Sequence, residues 1–135
     1  MLTAAAEAAN DAGIKLVAVT VLTSMDEAEL ASIGILATPQ EQVLRLAKLT
    51  QACGVAGVVC SALELPAIRK ECGRDFLTVV PGIRPAGSSA DDQRRIMTPA
   101  KAAEAGADLI VVGRPITKAE DPSAAAAAIR QELGQ

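Results

Sequence analysis

Short aliphatic runs alternate with longer amphipathic or alanine-rich stretches along the chain. Four runs of about five apolar residues predict buried strands, at 16–21, 55–60, 76–80 and 108–112. The stretches between these runs have helical periodicity or helical propensity, and the alanine-rich residues 1–12 predict a helix before the first strand. The predicted order is therefore one helix followed by four β/α units.

Capping residues mark where the predicted helices begin and end. Gly13 is expected to end the first helix. The predicted starts lie at Ser24 to Glu27, Thr38 to Glu41, Ser61 to Glu64, Thr98-Pro99 and Asp121-Pro122. The helix from Pro39 to about Cys53 is expected to turn these side chains inward: Val43, Leu44, Leu46, Ala47 and Leu49.

Strands that alternate with helices predict an α/β domain with a parallel sheet and right-handed crossovers. Two architectures fit, an open doubly wound sheet or part of a (β/α)8 barrel. No Gly-x-Gly-x-x-Gly follows the first strand, which disfavours a dinucleotide-binding sheet. Complete barrels take about 250 residues, so the 135 residues, taken as one domain (1–135), predict half a barrel.

Composition narrows the possible functions. The chain is 50% hydrophobic but 1% aromatic, its formal net charge is -3, and it contains no histidine. A nucleic-acid-binding surface would need a basic stripe and stacking aromatic rings. Three cysteines without a Cys-x-x-Cys predict neither a zinc site nor a disulfide framework, and Cys60 is expected to be a buried small apolar residue.

No apolar run reaches the roughly 18–20 residues that cross a bilayer. The first residues also lack the basic segment of a secretory signal. These features, together with the unpaired cysteines, predict a cytoplasmic protein without a zinc site or a membrane partner.

A long loop rich in glycine, proline and serine follows the third predicted strand, at residues 81–97. Loops of this length in compact domains are usually functional. Gly82 and Gly87 allow unusual backbone angles, while Arg84, Arg94, Arg95 and Gln93 supply donors suited to a phosphate. The alternatives, a mobile phosphate clamp or a solvated surface loop, are evenly balanced on composition.

Ligands of β/α proteins bind beyond the carboxyl ends of the strands. The last two strands both end in glycine and arginine, with Gly82 and Arg84 after one and Gly113 and Arg114 after the other. In barrels, the loops after the last two strands frequently hold a phosphate. Thr23 and Ser24 follow the first strand and either bind a substrate amide or cap the next helix. The adjacent pair Asp91-Asp92 is expected to lie in a solvated turn.

Five segments resemble the C-terminal half of bacterial orotidine 5'-phosphate decarboxylases. They are 19–24 (VTVLTS), 57–62 (GVVCSA), 81–85 (PGIRP), 92–99 (DQRRIMTP) and 111–116 (VVGRPI). The resemblance runs in order along the whole chain. It implies a (β/α)8-barrel homodimer that converts orotidine 5'-phosphate to UMP and CO2 without metal or cofactor.

The resemblance also implies roles for matched positions. Thr23 and Ser24 would meet the pyrimidine, Arg84 would belong to the closing-loop region, and Gln93 would bridge phosphate and base. Gly113 and Arg114 would hold the phosphate. The catalytic lysine of the family lies in an Asp-x-Lys-x-x-Asp motif, which is absent from the sequence. The chain is therefore expected to carry the substrate-binding residues, to have no catalytic residue, and to be inactive alone.

Two further expectations concern the origin of the chain and its association with other chains. Met1 is either an internal methionine of a longer protein or the start of a truncated gene. Uncovered sheet edges invite pairing with another chain, so we expect a homo-oligomer, with two half-barrels closing on each other as one form. The alternative functions are a related sugar-phosphate decarboxylase or synthase, and a non-catalytic half-barrel that serves in assembly or ligand binding.

Overall fold

A computed structural model of the chain describes residues 1–85 and 97–134. Helices and strands alternate through these residues, as the apolar pattern predicts. The helices are α1 (Leu2–Asp11), α2 (Glu27–Ser32), α3 (Pro39–Ala52), α4 (Leu65–Cys72), α5 (Pro99–Glu104), α6 (Arg114–Thr117) and α7 (Pro122–Glu132). The strands are β1 (Val17–Val19), β2 (Gly57–Val59), β3 (Leu77–Val80) and β4 (Leu109–Ile110). A 3₁₀ turn at Ala62–Glu64 leads into α4.

Within the described residues the strands form one parallel sheet in the order β1-β2-β3-β4. One register row runs from Val19 through Val59 and Val79 to Leu109. The predicted α/β class and parallel sheet are confirmed. The strands are shorter than predicted, although ladder hydrogen bonds continue past their ends, for example from the Thr20 amide to the Val59 carbonyl (3.2 Å).

The two faces of the sheet have different surroundings. Successive strand residues point to opposite faces, and Val58 and Val80, on the first face, are fully buried in a core with α2 to α5. The other face includes the exposed Val19 and Leu109. The helices thus cover one side of the sheet only, among the residues described.

Several predicted helix features are confirmed. Thr38 caps α3 in a reciprocal box with Glu41, and Ser61 makes the same box with Glu64. Asp121 caps α7, and Thr98 caps α5. These caps satisfy backbone amides that have no partner inside the helix.

Other predictions of the sequence analysis are wrong in detail. The start of α2 is capped by Asp26 and Glu29, not by Ser24 and Glu27, because the chain first makes a turn after β1. Leu49, expected to point inward, is exposed on α3, and the inward position of that turn is taken by Thr50. The short helix α6 was not predicted, since four residues give no periodic signal.

One glycine is required by close packing between strands. A Cβ atom on Gly57 would lie 2.2 Å from the carbonyl oxygen of Leu77 in the neighbouring strand. No side chain fits at that distance, so Gly57 allows β2 and β3 to approach. Among the described residues, no helix combines the length and the apolar character needed to cross a membrane.

Candidate functional site

The carboxyl ends of four parallel strands share one edge of the sheet, because all strands run in the same direction. The Val111 amide donates to the Val80 carbonyl (2.9 Å), and the Cys60 amide donates to the Val79 carbonyl (3.1 Å). These bonds hold the strand tips side by side. The segments that follow the tips carry most of the predicted binding residues.

Thr23 and Ser24 line a cavity of about 220 Å³ at this edge. Thr23 is 7% exposed and Ser24 is half-buried. The remaining lining residues are Val19, Val21, Leu22, Val59, Cys60 and Pro81. The cavity therefore combines aliphatic residues with two hydroxyl-bearing residues, a composition suited to a ligand with apolar and polar parts.

The cap of α2 bears on the role of Ser24. The Asp26 carboxylate accepts the Glu29 amide proton (3.0 Å), and the Glu29 carboxylate accepts that of Asp26 (3.0 Å). The helix start is thus capped without Ser24. This removes the capping role that the sequence left open for Ser24, which lines the cavity instead.

Arg84 lies beside a different cavity. Its side chain is 6% exposed, and Nη1 donates to the Ile83 carbonyl (2.9 Å). The second cavity, of about 350 Å³, is lined by Leu63, Arg84, Met97, Thr98 and Lys101. Arg84 is therefore near the edge of the sheet but does not line the cavity that holds Thr23 and Ser24.

The two ends of the long loop are joined by backbone contacts. Ile83 forms a parallel bridge with Met97, and the Arg84 amide donates to the Met97 carbonyl (3.0 Å). The predicted phosphate ligand Gln93 lies outside the described residues, as do Gly87, Asp91-Asp92 and Arg94-Arg95. The position of the predicted clamp between these ends stays a prediction.

Gly113 and Arg114 follow β4. Gly113 precedes α6, and its carbonyl accepts the amides of Ile116 (2.9 Å) and Thr117 (3.0 Å). Apart from the two neighbouring residues, no described atom lies within 4 Å of the position that a Cβ atom on Gly113 would occupy, and Arg114 is half-buried. The absence of a side chain at Gly113 leaves the backbone approachable from outside.

Cys60 and Pro81 line the first cavity but were not among the predicted site residues. Cys60 is buried, as expected for a small apolar side chain, but it also forms the cavity wall together with Pro81. Their positions directly after β2 and β3 were the available signal. Ser61, the next residue, serves the local backbone instead, since its hydroxyl accepts the Leu63 amide (3.3 Å).

A polar network lies at the opposite, amino end of β3 and β4. The Arg69 guanidinium donates to the Thr78 hydroxyl (2.7 Å), the Asp108 carboxylate (2.7 Å) and the Gly106 carbonyl (2.7 Å). The Thr78 amide also donates to Asp108 (2.7 Å). Partial burial raises the pKa of Asp108, but the bonds from Arg69 and Thr78 outweigh it, so this pKa lies below its ordinary value. In barrels, this end contributes stability rather than catalysis.

Comparisons with known proteins agree with this architecture. The family model described as "Orotidine 5'-phosphate decarboxylase / HUMPS family" matches residues 1–129. Orotidine 5'-phosphate decarboxylase of Gluconobacter oxydans is 64% identical over 119 residues, which are 88% of this chain and 50% of that protein. The enzyme of Chromobacterium violaceum is 60% identical over 118 residues, 87% of this chain and 48% of that protein.

A solved structure gives the corresponding likeness in three dimensions. Orotidine 5'-phosphate decarboxylase of Lactobacillus acidophilus superposes with a TM-score of 0.73 at 45% identity, over 90% of this chain and 50% of that one. The chain thus spans about half the length of these relatives, and its fold matches half of a TIM barrel, as predicted. The chain belongs to the orotidine 5'-phosphate decarboxylase / HUMPS family.

Proposed function

We propose that the chain is the C-terminal, substrate-binding portion of an orotidine 5'-phosphate decarboxylase. That enzyme converts orotidine 5'-phosphate to UMP and CO2 in pyrimidine biosynthesis. The observation that carries the proposal is the shared strand edge: a hydroxyl-bearing cavity after β1 and an open glycine followed by arginine after β4, in a chain of this family. No cofactor or metal is part of the proposal.

The proposed contacts form two groups, one at the pyrimidine end of the ligand and one at its phosphate end. Thr23 and Ser24 would meet the polar edge of the pyrimidine, which suits the aliphatic and hydroxyl lining of their cavity. Gly113 and Arg114 would hold the phosphate, because an open backbone amide and a planar guanidinium are both good donors to phosphate oxygens. Arg84 would support the phosphate side from the neighbouring cavity. From the sequence alone, Gln93 is a further proposed phosphate ligand.

Binding energy at the phosphate would serve the chemistry at the ring. Interactions with a non-reacting part of a substrate can be realised in the transition state rather than in the ground state. A phosphate clamp built from strand tips of one rigid sheet supplies such a remote interaction, since the sheet fixes its distance from the ring-binding cavity.

The chain alone is proposed to be inactive. The family resemblance assigns the proton donor to the lysine of an Asp-x-Lys-x-x-Asp motif, and the sequence contains none. Decarboxylation of orotidine 5'-phosphate by the purified 135-residue chain, with its intact mass verified, would contradict this part of the proposal.

Calorimetric titration with UMP tests the binding role. Each charge-assisted hydrogen bond contributes about 1.5–3 kcal/mol, so Arg114→Ala is expected to raise the Kd for UMP roughly tenfold or more. Arg130→Ala, at an exposed arginine on α7, is the matched control and is expected to leave the Kd unchanged. Equal affinities of wild type and Arg114→Ala would support a purely structural half-barrel instead.

Gly113→Ala provides a second, independent variant. A methyl group there meets no described atom within 4 Å apart from the two neighbouring residues, so the variant is expected to fold. It would still hinder the approach of a phosphate to the backbone and weaken UMP binding. Unchanged affinity in a folded Gly113→Ala protein would exclude the proposed backbone contact.

One alternative stays open because the matching family model combines two named groups. A sugar-phosphate decarboxylase or synthase would use the same phosphate contacts with a different organic moiety. A 3-keto-sugar phosphate that displaces UMP in a competition titration would favour that alternative.

We also propose that the chain functions in the cytoplasm and as a homo-oligomer. The composition and the unpaired cysteines support the cytoplasmic location. The outer edges of β1 and β4, which pair with no further strand in the described part of the chain, support association.

A further inference from the structure

The apolar pattern of the last two strands does not fix how they pair. Residues 109–112, which begin with β4, are leucine, isoleucine and two valines, and three of the four residues of β3 are also aliphatic. Where apolar and polar residues alternate, a slip by one residue turns polar side chains into the core, and this specifies the register. Along residues 109–112 a slip exchanges one aliphatic side chain for another. The pairing of β4 with β3 therefore needs a further determinant.

The backbone ladder between these strands does not supply it. β3 and β4 pair through two residues each, Val79 with Leu109 and Val80 with Ile110, whereas β1 with β2 and β2 with β3 pair through three. The bonds of a parallel ladder are evenly spaced. A shifted pairing can therefore make the same backbone bonds, and the ladder alone does not select one register.

Thr78 and Asp108 make contacts that only one register allows. The Thr78 side chain is fully buried, and its hydroxyl donates to the Asp108 carboxylate (3.0 Å) and accepts the Asp108 amide (3.2 Å). The Thr78 amide donates to the same carboxylate (2.7 Å), and Arg69 donates to both side chains (2.7 Å each). A slip would separate the buried hydroxyl and the guanidinium from Asp108, and a buried polar group that loses its partner is costly. Fixing a register is a well-attested role of such buried polar contacts.

The register at the amino ends decides what the carboxyl ends present together. Pro81, directly after β3, lines the cavity of Thr23 and Ser24, while Gly113 and Arg114 follow β4. A slip of one residue moves a strand by about 3.3 Å. Hydrogen bonds to a phosphate need heavy atoms within about 3.2 Å, so such a slip would carry Gly113 and Arg114 out of reach of a ligand seated in that cavity.

We propose that Thr78 and Asp108 are positioning residues, which set the register of β4 against β3 and thereby place Gly113 and Arg114 at the level of the phosphate. Neither residue touches the ligand, since both lie at the opposite end of the strands. The part of this proposal that concerns the phosphate rests on the proposed function. The part that concerns the register does not, and the two are tested by separate measurements.

Calorimetric titration with UMP measures the consequence for the site, at a temperature where circular dichroism shows each variant to be folded. Thr78→Val keeps the shape of the side chain but removes the hydroxyl, and it is expected to raise the Kd at least about tenfold. Thr78→Ser restores the hydroxyl and is expected to bring the Kd to within about twofold of the wild-type value. Thr38→Ala is the control for lost stability and is expected to keep the wild-type Kd, because the bonds of Thr38 run to Glu41 on α3.

Nuclear Overhauser effects in the chain without ligand read the register itself. The wild type is expected to show cross-strand effects for the pairs Val79–Leu109 and Val80–Ile110. In Thr78→Val these effects are expected to weaken, and the Val111 amide, which donates to Val80, is expected to exchange with solvent at least about tenfold faster. Asp108→Ala, at a side chain that is 34% exposed, is a second variant with the same expected result and keeps the test decisive if Thr78→Val does not fold.

Four outcomes would overturn the proposal. They are wild-type cross-strand effects in the variants, a lost register with unchanged UMP affinity, a Thr78→Ser protein that binds no better than Thr78→Val, and an equal loss of affinity in Thr38→Ala. If the wild type does not bind UMP but Thr78→Val loses the register, the proposed function is refuted and the register role is supported.

Discussion

Replacement of Arg69 by alanine removes the side chain that joins the amino ends of β3 and β4. Its guanidinium donates to the carbonyls of Phe76 and Gly106, the Thr78 hydroxyl and the Asp108 carboxylate at 2.7–3.1 Å. These strands lead to the proposed phosphate site at their other ends. The substitution therefore tests whether the Arg69 hydrogen bonds hold in place the two strands that lead to the site.

The size of the effect follows from the exposure of the partners. A hydrogen bond to a charged group contributes about 1.5–3 kcal/mol, and bonds from one side chain do not add in full. The Asp108 side chain is 34% exposed, so in the variant water replaces part of the hydrogen bonding that Asp108 loses. We expect Arg69→Ala to lower the free energy of unfolding by about 3 kcal/mol, and Tm by about 10 °C for a chain of this length.

Urea and thermal unfolding followed by circular dichroism measure this difference. Arg74→Ala, at an exposed arginine five residues away, is the control and is expected to change the free energy of unfolding by less than about 0.5 kcal/mol. Arg69→Lys is expected to lie between wild type and Arg69→Ala, because lysine keeps the charge but loses the planar fork. Equal stability of Arg69→Ala and Arg74→Ala would refute the reasoning.

Three further predictions concern the same framework. The pKa of Asp108 is lower in the folded chain than its value of about 3.9 in the unfolded chain, so the ionised carboxylate stabilises the fold above that pH. This stability is lost as the pH falls through the folded pKa, so wild type should lose more free energy of unfolding between pH 5 and 3 than Asp108→Asn in urea titrations. Equal losses in the two proteins would contradict this. Gly57→Ala should cost about 3 kcal/mol, because the methyl group collides with the Leu77 carbonyl, and a neutral result in urea unfolding would argue against this strand spacing. Thr38→Ala should cost about 1 kcal/mol in the same assay by removing the cap that Glu41 completes, and no loss would mean that water replaces the cap.

Regular features of the fold could be predicted because they depend on local chemistry. Apolar runs bounded by glycine and capping residues gave the order of elements, and Thr38 and Ser61 cap helices as their spacing requires. The start of α2 was misplaced because Ser24 and Asp26 both have possible capping partners three residues later. Only the turn that follows β1 decides between them, and that turn depends on tertiary structure.

The candidate site was predictable in position but not in composition. Parallel strands oblige Thr23 and Gly113 to lie at one edge, whereas the inclusion of Cys60 in the cavity depends on strand register. The network around Arg69 and Asp108 joins residues that are 39 positions apart. Such a contact leaves no local pattern in the sequence, so it required the structure.

The proposed function requires that the carboxyl edge of this sheet binds a nucleoside monophosphate. Titration of ¹⁵N-labelled chain with UMP, monitored by amide chemical shifts, tests it most directly. The largest shifts are expected at Thr23, Ser24, Gly113 and Arg114, while the amides of Gly106 and Asp108 at the amino edge are expected to stay unchanged. Shifts confined to the amino edge, or no saturable shift at millimolar UMP, would contradict it.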